Sequence, residues 1–227
     1  MNQKDQRFQW RDIKGTRLVI AAFGILCGLT GIIAGIFEVL QGNIIPDGLV
    51  ISTIGPSYTM AEDFTYFAIT VIPNLRVTGI LAILVSCSVI IWSIRYVDRK
   101  NGALILLGLS IAQMLVGGGW VIDLAIITSI LATRINKPNE WWRKRLPERL
   151  RLWFVRLFPF SVLAYVLISI SMLALTILGV NSETLIKLLE PLAAAMFLPI
   201  ILMILGGIAH DITPEKSGII KVPTNQP

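Results

Sequence analysis

The side chains that most often hold metals or form disulfides are nearly absent from this sequence. It has one histidine, His210, and two cysteines, Cys27 and Cys87. Both cysteines lie in apolar segments, where a thiol behaves as a small hydrophobic group. Neither a zinc site nor a disulfide framework can be built from so few ligands. Phosphate-binding, dinucleotide-binding, serine-hydrolase and zinc-protease motifs are also lacking, so we expect no metal, no cofactor and no catalytic residue.

Charged side chains are scarce as well. Only 15% of the 227 residues are charged, 55% are hydrophobic, and the mean hydropathy is +0.74. A soluble domain of this length cannot bury so much apolar surface, so the bilayer must be the solvent. The net charge of +6 does not indicate a nucleic-acid partner, because the basic residues are concentrated between apolar segments. We predict an all-α, polytopic integral membrane helix bundle that forms a single domain.

The first apolar segment carries a stripe of small residues. Within it, Gly24, Gly28, Gly31 and Gly35 follow one another at spacings of four, three and four, and Glu38 continues the series. On a helix these positions fall within an arc of about 80°. Glycine at such spacing lets a second helix approach closely in a membrane, and chance would scatter the glycines around the helix. We predict that the stripe packs against the second segment, on the face that holds Gly79, Ala82, Ser86 and Ser93.

Apolar stretches predict five or six membrane segments, at about 18–40, 77–94, 103–116, 120–133, 158–179 and 192–209. The stretch 102–133 is ambiguous, because one helix of that length would extend well beyond the hydrocarbon core. Three consecutive glycines, Gly117 to Gly119, weaken a helix in its middle. We therefore predict a glycine-rich helical hairpin there, either spanning thinly or re-entrant; one long helix is the alternative. A turn is the expected role of these glycines rather than anion binding.

The distribution of positive charge predicts the orientation. Of the 20 Lys and Arg residues, all but Arg76 and Lys187 lie on one side of the predicted membrane. By the positive-inside rule that side is the cytoplasm, so we predict a cell-membrane protein with both termini in the cytoplasm. The inner loop 134–157 is strongly basic and amphipathic, so we expect it to lie on anionic lipid headgroups before the chain turns inward. The lipid-contacting residues would be Arg143, Lys144, Arg145, Arg149 and Arg151.

The loop 41–74 has no Lys or Arg and is therefore predicted to lie outside. Thr59 and Glu62 fit a capping box, and Phe64, Phe67, Ala68 and Val71 follow at helical spacing. These residues predict a short amphipathic helix at the outer interface.

Ionisable side chains within membrane segments are functional candidates by default, because burying an unpaired charge in hydrocarbon is costly. The predicted topology brings Glu38, Gln41, Arg76 and Asp123 toward the outer leaflet as a candidate polar cluster, with Gln113 deeper. The simpler interpretation, which the sequence favours, is that Glu38 and Arg76 pair at the interface and Asp123 reaches headgroup water. His210 and Asp211 are interpreted as a solvated pair at a helix end.

Three short stretches carry a resemblance to known proteins. They are Glu38-Val-Leu-Gln41-Gly42-Asn43, Gly117-Gly118-Gly119-Trp120 and Ala132-Thr-Arg-Ile-Asn-Lys-Pro138. Together they resemble segments of uncharacterised multi-pass membrane proteins of bacteria and archaea. The resemblance covers about the first two thirds of the chain and implies a prokaryotic cell-membrane protein, without a functional residue to carry over.

Three functions are compatible with this sequence. The first is a non-enzymatic structural, regulatory or assembly component that contacts another membrane protein or a second copy of itself, since its membrane segments contain few polar residues. The alternative is a small transporter or channel that uses the hairpin around Gly117–Gly119 beside the polar cluster. An intramembrane enzyme is the third and has the least support, because no catalytic constellation is present.

Overall fold

The computed structural model describes residues 14–54, 66–119, 122–133, 140–177 and 182–213. These residues form seven helices and two strands: α1 Gly15–Gln41, β1 Val50–Ile54, β2 Tyr66–Ile69, α2 Leu75–Arg95, α3 Gly102–Leu115, α4 Ile122–Ala132, α5 Glu140–Arg145, α6 Glu148–Ile177 and α7 Ser182–Ile212. The chain is mostly helical, as its composition predicts.

Four of the described helices are long and apolar enough to cross a membrane. They are α1, α2, the part of α6 from Glu148 to Met172, and the part of α7 from Lys187 to Ile212. α3 and α4 have 14 and 11 residues, so each is shorter than the roughly 20 residues of a full crossing. The count of five or six membrane segments therefore remains a prediction.

α1 is the central helix of the bundle, and it contacts α2, α4, α6, α7 and β1. Its buried side chains Val19, Ile20 and Phe23 belong to a core to which all the long helices contribute. The ring of Phe23 meets the ring of Tyr165 from α6 edge-on, with centroids 5.0 Å apart. α7 packs closely against α1 at Gly207, where an added Cβ atom would lie 3.2 Å from the backbone of Gly15.

The two ends of the bundle differ in chemistry. One end, which we call the basic end, contains the first residues of α1 and the last residues of α2. There Arg17 forms an ion pair with Asp98 at 3.1 Å and donates a hydrogen bond to the carbonyl oxygen of Ile94. At the other end, which we call the ribbon end, β1 and β2 form an antiparallel ribbon beside the last residues of α1.

The ribbon overturns the prediction of an amphipathic helix in the loop 41–74. Phe67 and Ala68 lie in β2, which pairs with β1 so that Val50 faces Ile69. The predicted capping residues Thr59 and Glu62, and also Phe64, lie outside the described residues. Four apolar or aromatic residues in a row fit a strand as well as one turn of helix, and pairing with β1 decides between them.

Two helices begin before the membrane segments predicted at 158–179 and 192–209. α6 begins at Glu148 and continues through Pro159, and α7 begins at Ser182 and continues through Pro191 and Pro199. The basic residues after Pro147 thus belong to the first turns of α6, and the bounds of the membrane segments remain predictions.

Candidate functional site

The glycine stripe of α1 lies against α2. Gly24 faces Ser93, Gly28 faces Ile90, and Gly31 faces Ser86. Farther along, a Cβ atom added to Gly35 would lie 2.6 Å from the carbonyl oxygen of Gly79. The glycines therefore make room for side chains of α2 and, at Gly35, for its backbone, so the two helices pack closely up to the ribbon end, where the stripe ends in Glu38.

Glu38 is fully buried, with 0% of its surface exposed. Neither of its carboxylate oxygens has a hydrogen-bond partner among the described residues. Buried polar groups in proteins nearly always have a hydrogen-bond partner. Burying an ionised carboxylate without a partner costs more free energy than burying an unpaired neutral polar group. Glu38 is therefore a buried carboxyl group whose presence packing alone does not explain.

The wall beside Glu38 is formed by a glycine. A Cβ atom added to Gly117 would lie 2.7 Å from Oε2 of Glu38 and would contact Oε1 as well. Gly117 also has a positive φ of 84°, a conformation that side chains other than glycine rarely adopt. Two independent constraints, the backbone conformation and the nearby carboxyl group, thus require glycine at this position.

The turn that contains Gly117 is tied to its surroundings by backbone hydrogen bonds. The amide of Gly117 donates to the carbonyl oxygen of Ile69 at 2.9 Å, and that of Val71 donates to Leu115 at 3.0 Å. The amide of Gly118 donates back to Gln113 at 2.8 Å. The non-helical backbone after α3 is thus satisfied by the ribbon, which is the condition for such backbone at membrane depth.

α2 contributes a threonine to the same site. The methyl carbon of Thr78 would lie 2.7 Å from a Cβ atom on Gly117, so the methyl group borders the space that the Glu38 oxygens occupy. Its hydroxyl group lies 3.1 Å from that of Thr70 and 3.4 Å from the carbonyl oxygen of Ile72. Both threonines are buried, and the amide of Ile72 donates to Thr70. The hydroxyl groups are therefore engaged with each other and with the backbone.

The structure separates the members of the predicted polar cluster. Gln41 forms no hydrogen bond to the Glu38 carboxylate; its side-chain amide donates to the carbonyl oxygens of Thr53 at 2.7 Å and Ser52 at 3.1 Å. The side chain of Arg76 is exposed, so the predicted pairing of Glu38 with Arg76 is wrong. Asp123 lies in the first turn of α4, but its side chain is outside the described part of the chain.

Sequence reasoning missed Thr78 and Thr70, whereas the transporter alternative placed the hairpin around Gly117–Gly119 beside the polar cluster that includes Glu38. A signal for Thr78 was present, since it directly precedes Gly79, which lies against α1. Arg76 is two positions before Thr78, or about 200° around the helix axis, so the arginine points away when the threonine faces α1. Thr70 reaches the site through contacts between distant parts of the chain, for which a single sequence carries no signal.

Gln113 forms a second polar contact deeper in the bundle. Its side-chain amide donates to the carbonyl oxygen of Cys27 at 2.8 Å and lies against Gly31. Ser86 lies against the same glycine, and its hydroxyl group has no hydrogen-bond partner among the described residues. Buried polar groups therefore occur at two levels along the glycine stripe.

Asp211 is not part of a solvated pair with His210. Its Oδ1 accepts a hydrogen bond from the amide of Gly15 at 2.6 Å, and its Oδ2 accepts from the amide of Thr16 at 3.3 Å and also from the Thr16 hydroxyl. These are amides of the first turn of α1, which have no partner within their own helix. Asp211 therefore caps α1 from the end of α7. The imidazole of His210 lies 3.9 Å from the carboxylate.

The predicted lipid-contacting residues lie in α5 and in the first turn of α6. Lys144, Arg145 and Arg149 are exposed, and Arg151 is half-buried. The guanidinium of Arg145 lies over the ring of Trp141, 4.7 Å from its centroid. The side chain of Arg143 is outside the described residues. Lipid binding by this segment remains a prediction.

Comparison with known proteins adds no assignment to this site. No protein-family model, no curated protein and no solved structure matches the chain.

Proposed function

We propose that this protein is a small membrane transporter or channel in which Glu38 binds the transported ion or an ion coupled to transport. The observation that supports it is the complete burial of Glu38 without a hydrogen-bond partner among the described residues. Ionisable groups inside membrane proteins mark ion pathways and proton relays more often than structural contacts. The sequence favours a structural function because the membrane segments contain few polar residues, but Glu38 is buried in one of them without the pairing to Arg76 that would make it a structural contact.

The backbone beside Glu38 supports the same proposal. Membrane transporters commonly build ion sites where a helix is interrupted and its backbone lines the site. Here α3 ends at Leu115, and the turn that follows lies against the carboxyl group. We propose that α3 and α4 form a thin or re-entrant hairpin, for a total of five or six membrane segments. Its support is that α3 packs against α4.

The ion site can be tested by reconstitution into liposomes. Wild type, Glu38→Gln and Arg76→Gln would be compared for flux of protons, sodium, potassium, chloride and a panel of small solutes. We expect flux of at least one species, reduced to the level of empty liposomes by Glu38→Gln and retained by Arg76→Gln, because only Glu38 lies in the site. Wild-type liposomes that conduct nothing above background would contradict the proposal, as would a Glu38→Gln protein with unchanged flux.

Labelling from one side tests the hairpin and the orientation. Single cysteines would replace the exposed residues Lys100 and Lys144 in a protein that lacks Cys27 and Cys87. A hairpin between these positions predicts that an impermeant thiol reagent labels both from the same side. The positive-inside rule makes that side the cytoplasm. Labelling from opposite sides would mean that 102–133 crosses once.

A structural or assembly component is the second candidate, because a group of apolar side chains is exposed at the ribbon end. Its members are Ile44, Ile45, Leu49, Val50, Phe67 and Val71. Exposed apolar patches outside a core mark surfaces that contact a partner protein or lipid. A partner that copurifies at a fixed ratio in mild detergent, and is lost with Ile45→Ser and Leu49→Ser together, would favour this candidate. The matched control is Ile130→Ser on α4, which is equally exposed but distant in sequence.

A further inference from the structure

The space around the Glu38 carboxyl group indicates which ion it takes. Resting on the proposed function, we propose that the ligand is a proton: Glu38 binds H⁺ from water at one membrane face and releases it to water at the other. On uptake one O–H bond forms on the carboxylate, and on release that bond breaks and the proton returns to water. The carboxyl group is otherwise unchanged, so no second reactant is needed.

The described neighbours of the carboxyl group do not supply the ligands of a metal ion. Calcium takes six to eight oxygen ligands, and magnesium takes six in octahedral geometry. On the side where Gly117 and the methyl group of Thr78 lie, neither residue turns a side-chain oxygen to the Glu38 carboxyl group, and no described residue forms a hydrogen bond to its oxygens. The Thr78 and Thr70 hydroxyls are engaged with each other and with Ile72. Among the described residues no three His, Cys, Asp or Glu side chains are grouped as a metal site.

No described positive charge compensates an ionised Glu38. The titratable or charged side chains at the ribbon end of the elements that contact α1 are Arg76, Lys187, Glu190, Asp123 and Glu183. The first three are exposed, and the side chains of Asp123 and Glu183 are outside the described residues. Tyr165 of α6 contacts Phe23, about 22 Å along α1 from Glu38 at 1.5 Å per residue. β1 and α3 contain no charged residue.

An isolated carboxylate in such surroundings is strongly disfavoured, whereas a protonated carboxyl group is neutral and costs much less to bury. A group that gains or loses only a proton also needs no room for a hydrated ion. Gly117 leaves only the space of its missing side chain beside the two oxygens, which fits a proton better than a hydrated cation.

Infrared difference spectroscopy of the full-length protein in liposomes tests this directly. Wild type, Glu38→Gln and Glu38→Asp would be titrated with pH in sodium, potassium and choline buffers. We expect the carbonyl-stretch band of a protonated carboxyl group near neutral pH, fully lost in Glu38→Gln, shifted in Glu38→Asp and unchanged by the choice of cation. Bleaching of the band as the pH rises would show release of the proton.

Absence of that band in wild type at neutral pH would overturn the proposal, and a carboxylate band that shifts with sodium would assign a metal cation instead. If Glu38→Gln does not fold, the shift in Glu38→Asp still assigns the band. The two proposals can fail separately. A band without any flux would refute the proposed transport and leave the protonation of Glu38 intact. Flux without the band would refute only the claim that the ion bound by Glu38 is a proton.

Discussion

Gly35 of α1 and Gly79 of α2 face each other backbone to backbone. A Cβ atom on Gly35 would lie 2.6 Å from the carbonyl oxygen of Gly79, and one on Gly79 would collide with the carbonyl oxygen of Gly35. We expect Gly35→Ala and Gly79→Ala each to lower the free energy of unfolding by about 1–3 kcal/mol, because the helices must move apart. Unfolding in detergent, followed by the loss of helical circular dichroism, measures this.

Gly108 of α3 provides the matched control for these two substitutions. It is also a glycine in an apolar helix, but nothing lies within 4 Å of its added Cβ atom. Gly108→Ala should leave stability unchanged or raise it by up to about 1 kcal/mol through helix propensity. Equal losses at Gly108 and Gly35 would show that the α1–α2 contact is not the cause.

The position of the glycine contact can be recognised in the sequence, because spacings of three and four keep small residues on one helix face. The ribbon could not be recognised, since a four-residue strand is defined by its pairing with β1, and the next residue, Thr70, bridges to Val116 far along the chain. The full length of α6 could not be recognised either, because its first turns are basic and Pro159 lies inside it.

Asp211 should contribute to stability through its hydrogen bonds to the first turn of α1. Asp211→Ala is expected to cost about 0.5–2 kcal/mol, the range for loss of a helix cap. The contact joins residues 196 positions apart, so the loss should also loosen α7 from α1. Hydrogen exchange at the amides of Gly15 and Thr16 should become faster. Asp47→Ala, at an exposed aspartate, is the control and should change neither quantity.

Gln41 should hold the ribbon against α1. Gln41→Leu removes both hydrogen bonds to β1, so the amides of β1 and β2 should exchange with solvent faster while those of α2 do not change. Hydrogen exchange read by mass spectrometry on peptides from 44–54 and 66–72 measures this. Unchanged exchange in both peptides would mean that pairing with Val116 holds the ribbon without Gln41.

Glu38 and Arg76 should be energetically independent. Because the arginine is exposed and the carboxyl group has no described hydrogen-bond partner, the effects of Glu38→Gln and Arg76→Gln on unfolding should add in the double variant. Arg76→Gln alone should change stability by less than about 0.5 kcal/mol, as for most surface substitutions. A coupling energy above about 1 kcal/mol would show that the two side chains interact.

The most direct test of the account is the stability of Glu38→Met, since the central claim is that Glu38 is retained for function and not for folding. Methionine has a similar volume and no polar group to leave unpaired. Removing a buried, unpaired polar group relieves a cost of about 1–3 kcal/mol, so the variant should be at least as stable as wild type in detergent and inactive in liposomes. A loss of stability comparable to that of Gly35→Ala would contradict the account, because it would make Glu38 a structural residue.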